Sequence, residues 1–125
     1  MKKLGIKSGF RIIALFEPSH YLDLLFPLPE DVVIKRSSTS EVDFIHLFVK
    51  GRNVFEKEFL KNKKILKKDG MFWVSWPKKS AKVATDLDEN IIRNFGLDHG
   101  LVDVKVCAVD DVWSALKFVY RIEDR

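Results

Sequence analysis

The sequence lacks the features that several classes of protein require. It holds one cysteine, Cys107, so a disulfide bond within the chain is excluded. Its three histidines and this cysteine show no metal-ligand spacing, and we predict no metal site. No apolar run is long enough to cross a bilayer, and the basic N-terminus MKKLGIKSGF holds no stretch suited to a signal peptide. These absences predict a cytoplasmic protein with no membrane segment.

The chain does contain ample material for one core. Its 125 residues fit a single domain, 1–125, and 46% of them are hydrophobic, including ten phenylalanines. No repeat, low-complexity tract or linker divides this domain. Cys107 lies in the apolar run 104–109, which indicates a buried, inert thiol.

Charge is distributed unevenly along the chain. Residues 1–49 hold six basic and six acidic side chains, residues 50–82 hold eleven and three, and residues 83–125 hold five and nine. The middle third is therefore a basic block within a chain of net charge +4. Either the acidic part neutralises this block within the fold, or the block offers a face to an anionic partner.

Apolar runs that alternate with amphipathic stretches predict six strands and three helices. The strands are residues 11–16, 31–36, 42–49, 71–76, 102–109 and 114–122. The helices are a short one near 21–25, one at 54–67 that Asn53 caps and Asp69-Gly70 stops, and one from Asp86 or Asp88 to about 97.

The order of these elements predicts the fold. Strands that are apolar on both faces and separated by helices indicate a mostly parallel sheet, covered on both sides. The last two strands are separated by a few residues, so they must pair antiparallel. We therefore predict an α/β fold, a Rossmann-like three-layer sandwich whose sheet ends in an antiparallel hairpin.

Two pieces of the sequence resemble a known fold. The stretch ILKKDGMFWVSW (Ile65–Trp76) and the hairpin from Val102 to Ile122 are similar to the second half of class I S-adenosylmethionine-dependent methyltransferases. The resemblance implies a methyltransferase-like topology, shortened by about one strand and one helix.

A second resemblance covers most of the chain. The matching pieces are LGIKSGFRIIAL, YLDLLFPLPEDV, HLFVK, FWVSWPKKS, TDLDENIIR and GLVDVKVCAVDDVWSALKFV. They are similar to a family of short bacterial proteins of unknown function, which implies no activity, ligand or catalytic residue.

The methyltransferase resemblance implies a cofactor site that these residues do not support. Such enzymes need a glycine-rich turn after the first strand, because only glycine lets the backbone approach the cofactor closely. Here that turn is FEPSHY (Phe16–Tyr21), without glycine, and the second strand ends in Lys35-Arg36 instead of an acidic acceptor for the ribose. The Lys35-Arg36 pair suits the 2′-phosphate of NADP, but NADP needs the same glycine turn. We predict no cofactor.

Ligands of open parallel sheets bind outside the carboxyl ends of the strands. Four loops meet there in the predicted topology: 17–20, 50–53, 75–80 and 110–113. Trp76 and Trp113 are predicted to wall a pocket, with Lys78 and Lys79 reaching an anionic group. Alternatively, both tryptophans cap the core and the lysines are solvated. The predicted ligand-binding residues are Trp76, Lys78, Lys79, Trp113, Asp110, Ser19 and His20.

His20 lies beside Glu17 and Ser19, residue types that suit acid–base or nucleophilic catalysis. The favoured alternative is a helix start that Ser19 caps, with Glu17 at the positive end of the helix dipole. We therefore predict no catalytic residue. His46, inside an apolar strand, is predicted to be a hydrogen-bonded core residue.

Lysines account for two further patterns. One is a run of lysines in the basic block, which consists of Lys61, Lys63, Lys64, Lys67 and Lys68. This run predicts a weak, salt-sensitive site for a polyanion or, alternatively, a solvated helix face. Lys105 and Lys117 interrupt the final hairpin. They either protect a sheet edge or pair with nearby aspartates, namely Asp103, Asp110 or Asp111.

The favoured function is non-catalytic: binding of an anionic small molecule or a protein partner at the strand-end loops. The alternatives are a divergent S-adenosylmethionine-dependent methyltransferase and a weak nucleic-acid binder.

Overall fold

The computed structural model describes residues 4–125. Its elements are β1 (Arg11–Leu15), α1 (Tyr21–Leu25), β2 (Val33–Lys35), β3 (Val42–Phe48), α2 (Arg52–Lys63), β4 (Leu66–Pro77), α3 (Glu89–Asp98), β5 (Leu101–Ala108) and β6 (Trp113–Tyr120). The strands form one sheet in the order β2-β1-β3-β4-β6-β5. Strands β1 to β4 are parallel, and β6 runs antiparallel to β4 and β5. This arrangement confirms the predicted α/β, Rossmann-like fold with its closing hairpin.

The sheet buries its two faces against different coverings. On one side, which we call the helical face, α2 and α3 pack onto the sheet through Phe55, Phe59 and Ile92. On the other side, the loop face, the segment before β1 and the short α1 contribute Leu4 and Tyr21. Strands with apolar side chains on both faces are what such two-sided burial requires. Within residues 4–125, no helix has the length and apolar character needed to span a membrane.

Helix α3 follows the signals in its sequence. Asp88 is its N-cap, and Asp88 Oδ1 accepts a hydrogen bond from the Ile91 amide at 2.8 Å. Of the two predicted caps, Asp88 therefore fills the role. Gly96 lets the helix approach the sheet closely, because a Cβ at this position would lie 2.1 Å from Phe118 Cε1.

The boundary between α2 and β4 differs from the prediction. The helix begins at Arg52, without a side-chain cap from Asn53, and it ends at Lys63. The strand begins at Leu66, five residues earlier than predicted, so Gly70 lies inside β4 and does not stop the helix.

Strand pairing accounts for this difference. The Val42 amide donates to the Ile65 carbonyl at 2.8 Å, so the contact with β3 begins before the predicted strand. Beside it, Lys67 Nζ lies 3.0 Å from Asp43 Oδ1, and the β3–β4 register shifts there. The lysine run has good helix propensity, but these long-range bonds favour the strand.

The structure also corrects the expectations for Ser19 and Cys107, and it shows which peptide bond is cis. Ser19 is exposed and does not cap α1, whose N-cap is His20 without a side-chain cap bond. The cis peptide bond of the described chain is Phe26–Pro27, and Trp76–Pro77 is trans. Cys107 is half-buried, where a buried thiol was expected.

Candidate functional site

The loops after β1 and β4 meet the β5–β6 turn at one edge of the sheet. The Lys78 amide donates to the Val112 carbonyl at 2.7 Å, which ties the loop after β4 to this turn. His20 Nε2 lies 2.9 Å from Asp110 Oδ2, which ties the loop after β1 to the same turn. The carboxyl ends of parallel strands share an edge of the sheet, and these bonds hold their loops together there.

A crevice opens at this edge where the strand order reverses. β2 lies on one side of β1 and β3 on the other, so the order in which successive strands join the sheet reverses at β1. Open parallel sheets bind ligands at such a point. The crevice has a volume of about 560 Å³, and we call it the switch-point crevice. Its lining consists of Phe16, Pro18, Phe48, Val49, Lys50, Gly51, Val54 and Trp113.

Aromatic and aliphatic groups form most of the crevice wall. Trp113 stands edge-on to Phe48, with ring centroids 5.1 Å apart, and Phe16 is 60% exposed. Lys50 adds a positive charge, and the lining residues include no carboxylate. Such walls suit a flat apolar ligand that carries an anionic group. The sequence analysis identified Trp113 but missed Phe16 and Phe48, whose only signal was their position at strand ends.

Asp110 is held from three directions at the rim of this edge. Its Oδ1 accepts hydrogen bonds from the amides of Val112 at 2.9 Å and Trp113 at 2.8 Å, and its Oδ2 faces His20. Burial acts to raise the pKa of Asp110, but the hydrogen bonds from His20 and the two amides together lower it. An ionised carboxylate beside an imidazole orients the ring for acid–base chemistry. The partner of His20 is therefore Asp110 and not a neighbour in sequence.

A buried chain of polar groups lies behind His20 on the loop face. His46 Nδ1 is 3.0 Å from Tyr21 Oη, and His46 Nε2 is 2.7 Å from Ser75 Oγ. Burial lowers the pKa of His46 to about 3, so the ring is neutral. Burial, together with the charge of Glu17, raises the pKa of Tyr21. The prediction of a hydrogen-bonded core histidine is confirmed. Through Tyr21, these hydrogen bonds anchor α1 directly after His20.

The two tryptophans do not wall one pocket, so that prediction is wrong. Trp76 packs into the core under the helical face and Trp113 into the core of the loop face, because neighbouring residues of paired strands point to opposite sides. Their exposed fractions are 7% and 9%, as expected of residues that cap the core. Lys78 and Lys79 line a separate groove of about 410 Å³. Asp88 and Glu89 line the same groove, so the formal charges of its lining sum to zero.

The lysine run does not form one helix face. Lys61 and Lys63 belong to α2, Lys64 follows it, and Lys67 and Lys68 belong to β4. Three of the five have partners within the chain. Lys67 pairs with Asp43 at 3.0 Å, and Lys68 and Lys63 lie 4.1 and 5.8 Å from the centre of the Tyr120 ring. The run therefore offers an anionic partner fewer free charges than its sequence indicates.

No protein-family model and no curated protein matches the chain, so membership of a family of short bacterial proteins stays a prediction. Solved structures do match, and several of them are methyltransferases. The precorrin-6y C5,15-methyltransferase of Geobacter metallireducens superposes with a TM-score of 0.64 at 11% identity, over 95% of this chain and 84% of that one. An S-adenosylmethionine-dependent methyltransferase of Aquifex aeolicus has a TM-score of 0.60 at 16% identity, over 94% and 85%.

A third match is the fibrillarin of Aeropyrum pernix, solved with natively bound S-adenosylmethionine. Its TM-score is 0.60 at 17% identity, over 95% of this chain and 70% of that one. Identities this low establish the fold alone. The methyltransferase-like topology expected from the sequence is thereby confirmed.

The residues of this chain do not fit S-adenosylmethionine in the usual mode. Phe16 stands directly after β1, with a φ of 57°, a left-handed conformation that costs a residue with a side chain about 1–2 kcal/mol. Its ring lines the crevice where a glycine turn would leave room for a cofactor. Lys35 ends β2, at the position where such enzymes carry an acidic residue that accepts hydrogen bonds from the ribose. Among residues 4–125, no three metal-binding side chains are close enough to hold a metal ion.

Proposed function

We propose that this protein binds a small molecule with a flat apolar body and an anionic group in the switch-point crevice. The crevice itself carries the proposal, because it lies at the reversal of strand order and combines aromatic walls with Lys50. The proposed role is binding without methyl transfer, since Phe16 and Lys35 occupy the places of the two usual cofactor-binding devices.

A fluorescent probe of the same chemistry tests this proposal. Anilinonaphthalene sulfonate is flat and apolar and carries one sulfonate. We expect it to bind the folded protein saturably, with affinity lowered roughly tenfold, about 1.4 kcal/mol, by Lys50→Ala, which removes the cation, or by Val54→Glu, which adds a repelling negative charge. Both residues are exposed, so neither change disturbs the core.

Two control variants locate the probe. Lys57→Ala removes an exposed lysine of α2 outside the crevice, and the double change Lys78→Ala/Lys79→Ala removes the charges of the separate groove. Both are expected to bind the probe as the wild type does. Equal affinity in all variants would contradict the proposal, and weaker binding only in the double variant would place the site in that groove.

A divergent methyltransferase is the second candidate. The solved structures described as methyltransferases match between 94% and 96% of this chain, and the paired His20 and Asp110 lie at the same sheet edge as the crevice. Calorimetric titration with S-adenosylhomocysteine separates the two candidates. Binding to the wild type favours the methyltransferase, whereas binding only to Phe16→Gly identifies Phe16 as the residue that excludes the cofactor.

A further inference from the structure

The part of the helical face that β1 and β2 form lies beyond the main contacts of the two helices. α2 packs against β3 and β4, and α3 packs against β5 and β6. The connection from β2 to β3, residues 36–41, contains no helix, so it does not cover this part of the sheet. A groove of about 380 Å³ opens there, and we call it the β1–β2 groove.

Aliphatic side chains form the floor of the β1–β2 groove. Ile13 of β1 and Val42 of β3 line it and belong to the core of the helical face. Val33 of β2 also lines it and is 46% exposed, so the floor continues to the surface. Pockets of this volume with an apolar floor are typical of sites for small molecules.

Two cations stand over this floor on neighbouring strands. In the parallel register Val33 lies beside Arg11, and Lys35 lies beside Ile13. Side chains two residues apart in a strand point to the same side of the sheet, so Arg11 and Lys35 both share the side of Ile13. Their Cα atoms are about 8 Å apart on this diagonal. Both side chains line the groove and are long enough to reach one group between them.

No acidic side chain neutralises this pair of cations. The lining of the groove includes no carboxylate, and within residues 4–125 neither Arg11 nor Lys35 forms an ion pair. Asp43 is bonded to other groups, because its Oδ2 accepts from the Arg11 backbone amide at 2.8 Å and its Oδ1 lies 3.0 Å from Lys67 Nζ. The charges of the Arg11 and Lys35 side chains therefore suit an anion from outside the chain.

Two serines of the β2–β3 connection complete the lining. Ser38 Oγ donates to the Ser40 carbonyl at 2.9 Å and accepts from the Ser40 amide at 3.0 Å. This local turn holds the connection beside the groove, where the Ser40 hydroxyl adds a hydrogen-bond donor.

We propose that the β1–β2 groove binds a phosphate monoester with a short aliphatic body. Such a phosphate carries close to two negative charges near neutral pH, which matches the two cations. Arg11 offers paired donors to its oxygens and Lys35 offers an ammonium group, while the aliphatic body contacts the floor. This site is separate from the switch-point crevice, because the two share no lining residue.

Titration of the ¹⁵N-labelled protein with n-butyl phosphate, at neutral pH and constant ionic strength, tests the site. We expect saturable shifts of the backbone amide signals of Arg11 and of residues 35–40. Arg11→Met and Lys35→Met, which keep an aliphatic stem and remove the charge, should each lower the affinity about tenfold. Inorganic phosphate should bind in the same place but about threefold more weakly, because it has no body to contact the floor.

Two control variants separate this site from other cations. Arg36→Met removes the exposed cation next to Lys35, which does not line the groove, and Lys50→Ala removes the cation of the switch-point crevice. Both should bind n-butyl phosphate as the wild type does. Arg11→Met should bind anilinonaphthalene sulfonate as the wild type does, so this test and that of the crevice fail separately.

Three results would overturn the proposal. One is the absence of a saturable response in the wild type, and another is equal affinity in the wild type, Arg11→Met and Lys35→Met. The third is a set of shifts confined to residues 48–54, which would place the phosphate in the switch-point crevice. Equal affinity for n-butyl phosphate and inorganic phosphate would overturn the aliphatic body of the ligand.

Discussion

The two faces of the sheet are built from different kinds of contact. On the helical face, the ring of Phe59 stacks on Phe72 at a centroid distance of 4.7 Å. It also meets the rings of Phe55, Phe95 and Phe118 edge-on at 5.5 to 5.6 Å. The core there is aromatic, and its geometry is set by shape and ring orientation.

On the loop face, hydrogen bonds are embedded in the core. His46 joins Tyr21 to Ser75, and Trp73 Nε1 donates to the Leu4 carbonyl at 3.1 Å. Throughout the described part of the chain, no buried polar side-chain atom lacks a partner. These bonds tie the sheet to α1 and to the segment before β1.

The difference follows from how the segments that cover each face satisfy their backbone hydrogen bonds. Helices satisfy most of their own N–H and C=O groups, so α2 and α3 need only an apolar face to pack. A segment without regular structure has carbonyls that need partners, as the Leu4 carbonyl does. The loop face therefore depends on polar side chains in the sheet, and these introduce groups that respond to pH.

Loss of an aromatic ring at the centre of the helical face is the largest expected effect. Phe59→Ala removes a fully buried ring with four aromatic neighbours, and we expect it to lower the free energy of unfolding by about 3–5 kcal/mol. Leu60→Ala, the next residue and 40% exposed, should change it by less than about 0.5 kcal/mol. Urea denaturation of both variants checks this, and a similar loss in each would show that the aromatic cluster does not dominate this face.

Acidification should weaken the protein through the loop face. The pKa of His46 falls from 6.5 to about 3 on folding, so between these values the unfolded state binds a proton that the native state does not. The stabilisation is complete above pH 6.5 and is lost as the pH falls towards 3. The slope is about 1.4 kcal/mol per pH unit, so roughly 2 kcal/mol is lost between pH 7 and pH 5.

Denaturation at pH 7, 6 and 5 measures this slope. His46→Gln keeps groups that can bond to Tyr21 and Ser75 but does not titrate, so its stability should depend little on pH in this range. Leu60→Ala on the helical face should retain the wild-type slope. A slope in His46→Gln equal to that of the wild type would assign the pH dependence to other groups.

The sequence predicted the elements whose signals are local. The strands appear as apolar runs, the hairpin as two runs with a short turn, and the start of α3 as Asp88. His46 was recognisable because a polar residue in a buried strand needs a hydrogen bond. The fold class follows from these elements and their order.

Features that depend on distant pairing could not be predicted in this way. Leu66 belongs to β4 because Ile65 bonds to Val42, more than twenty residues earlier in the chain. Trp76 and Trp113 were grouped because their loops converge, but side-chain direction depends on the strand register. The same register places Lys105 opposite Lys117, which the spacing of either strand does not reveal.

The smallest effect concerns the start of α3, a boundary that the sequence placed at Asp86 or Asp88 and the structure places at Asp88. Asp88→Ala removes the cap of α3 and should lower the free energy of unfolding by about 1 kcal/mol. Asp98→Ala, at the other end of the same helix, should raise it by a few tenths of a kcal/mol, because a carboxylate there opposes the helix dipole. Asp88→Asn separates the two contributions, since it keeps an acceptor for the Ile91 amide and removes the charge. Denaturation should find Asp88→Asn near the wild type; a loss equal to that of Asp88→Ala would mean that charge, and not the hydrogen bond, begins this helix.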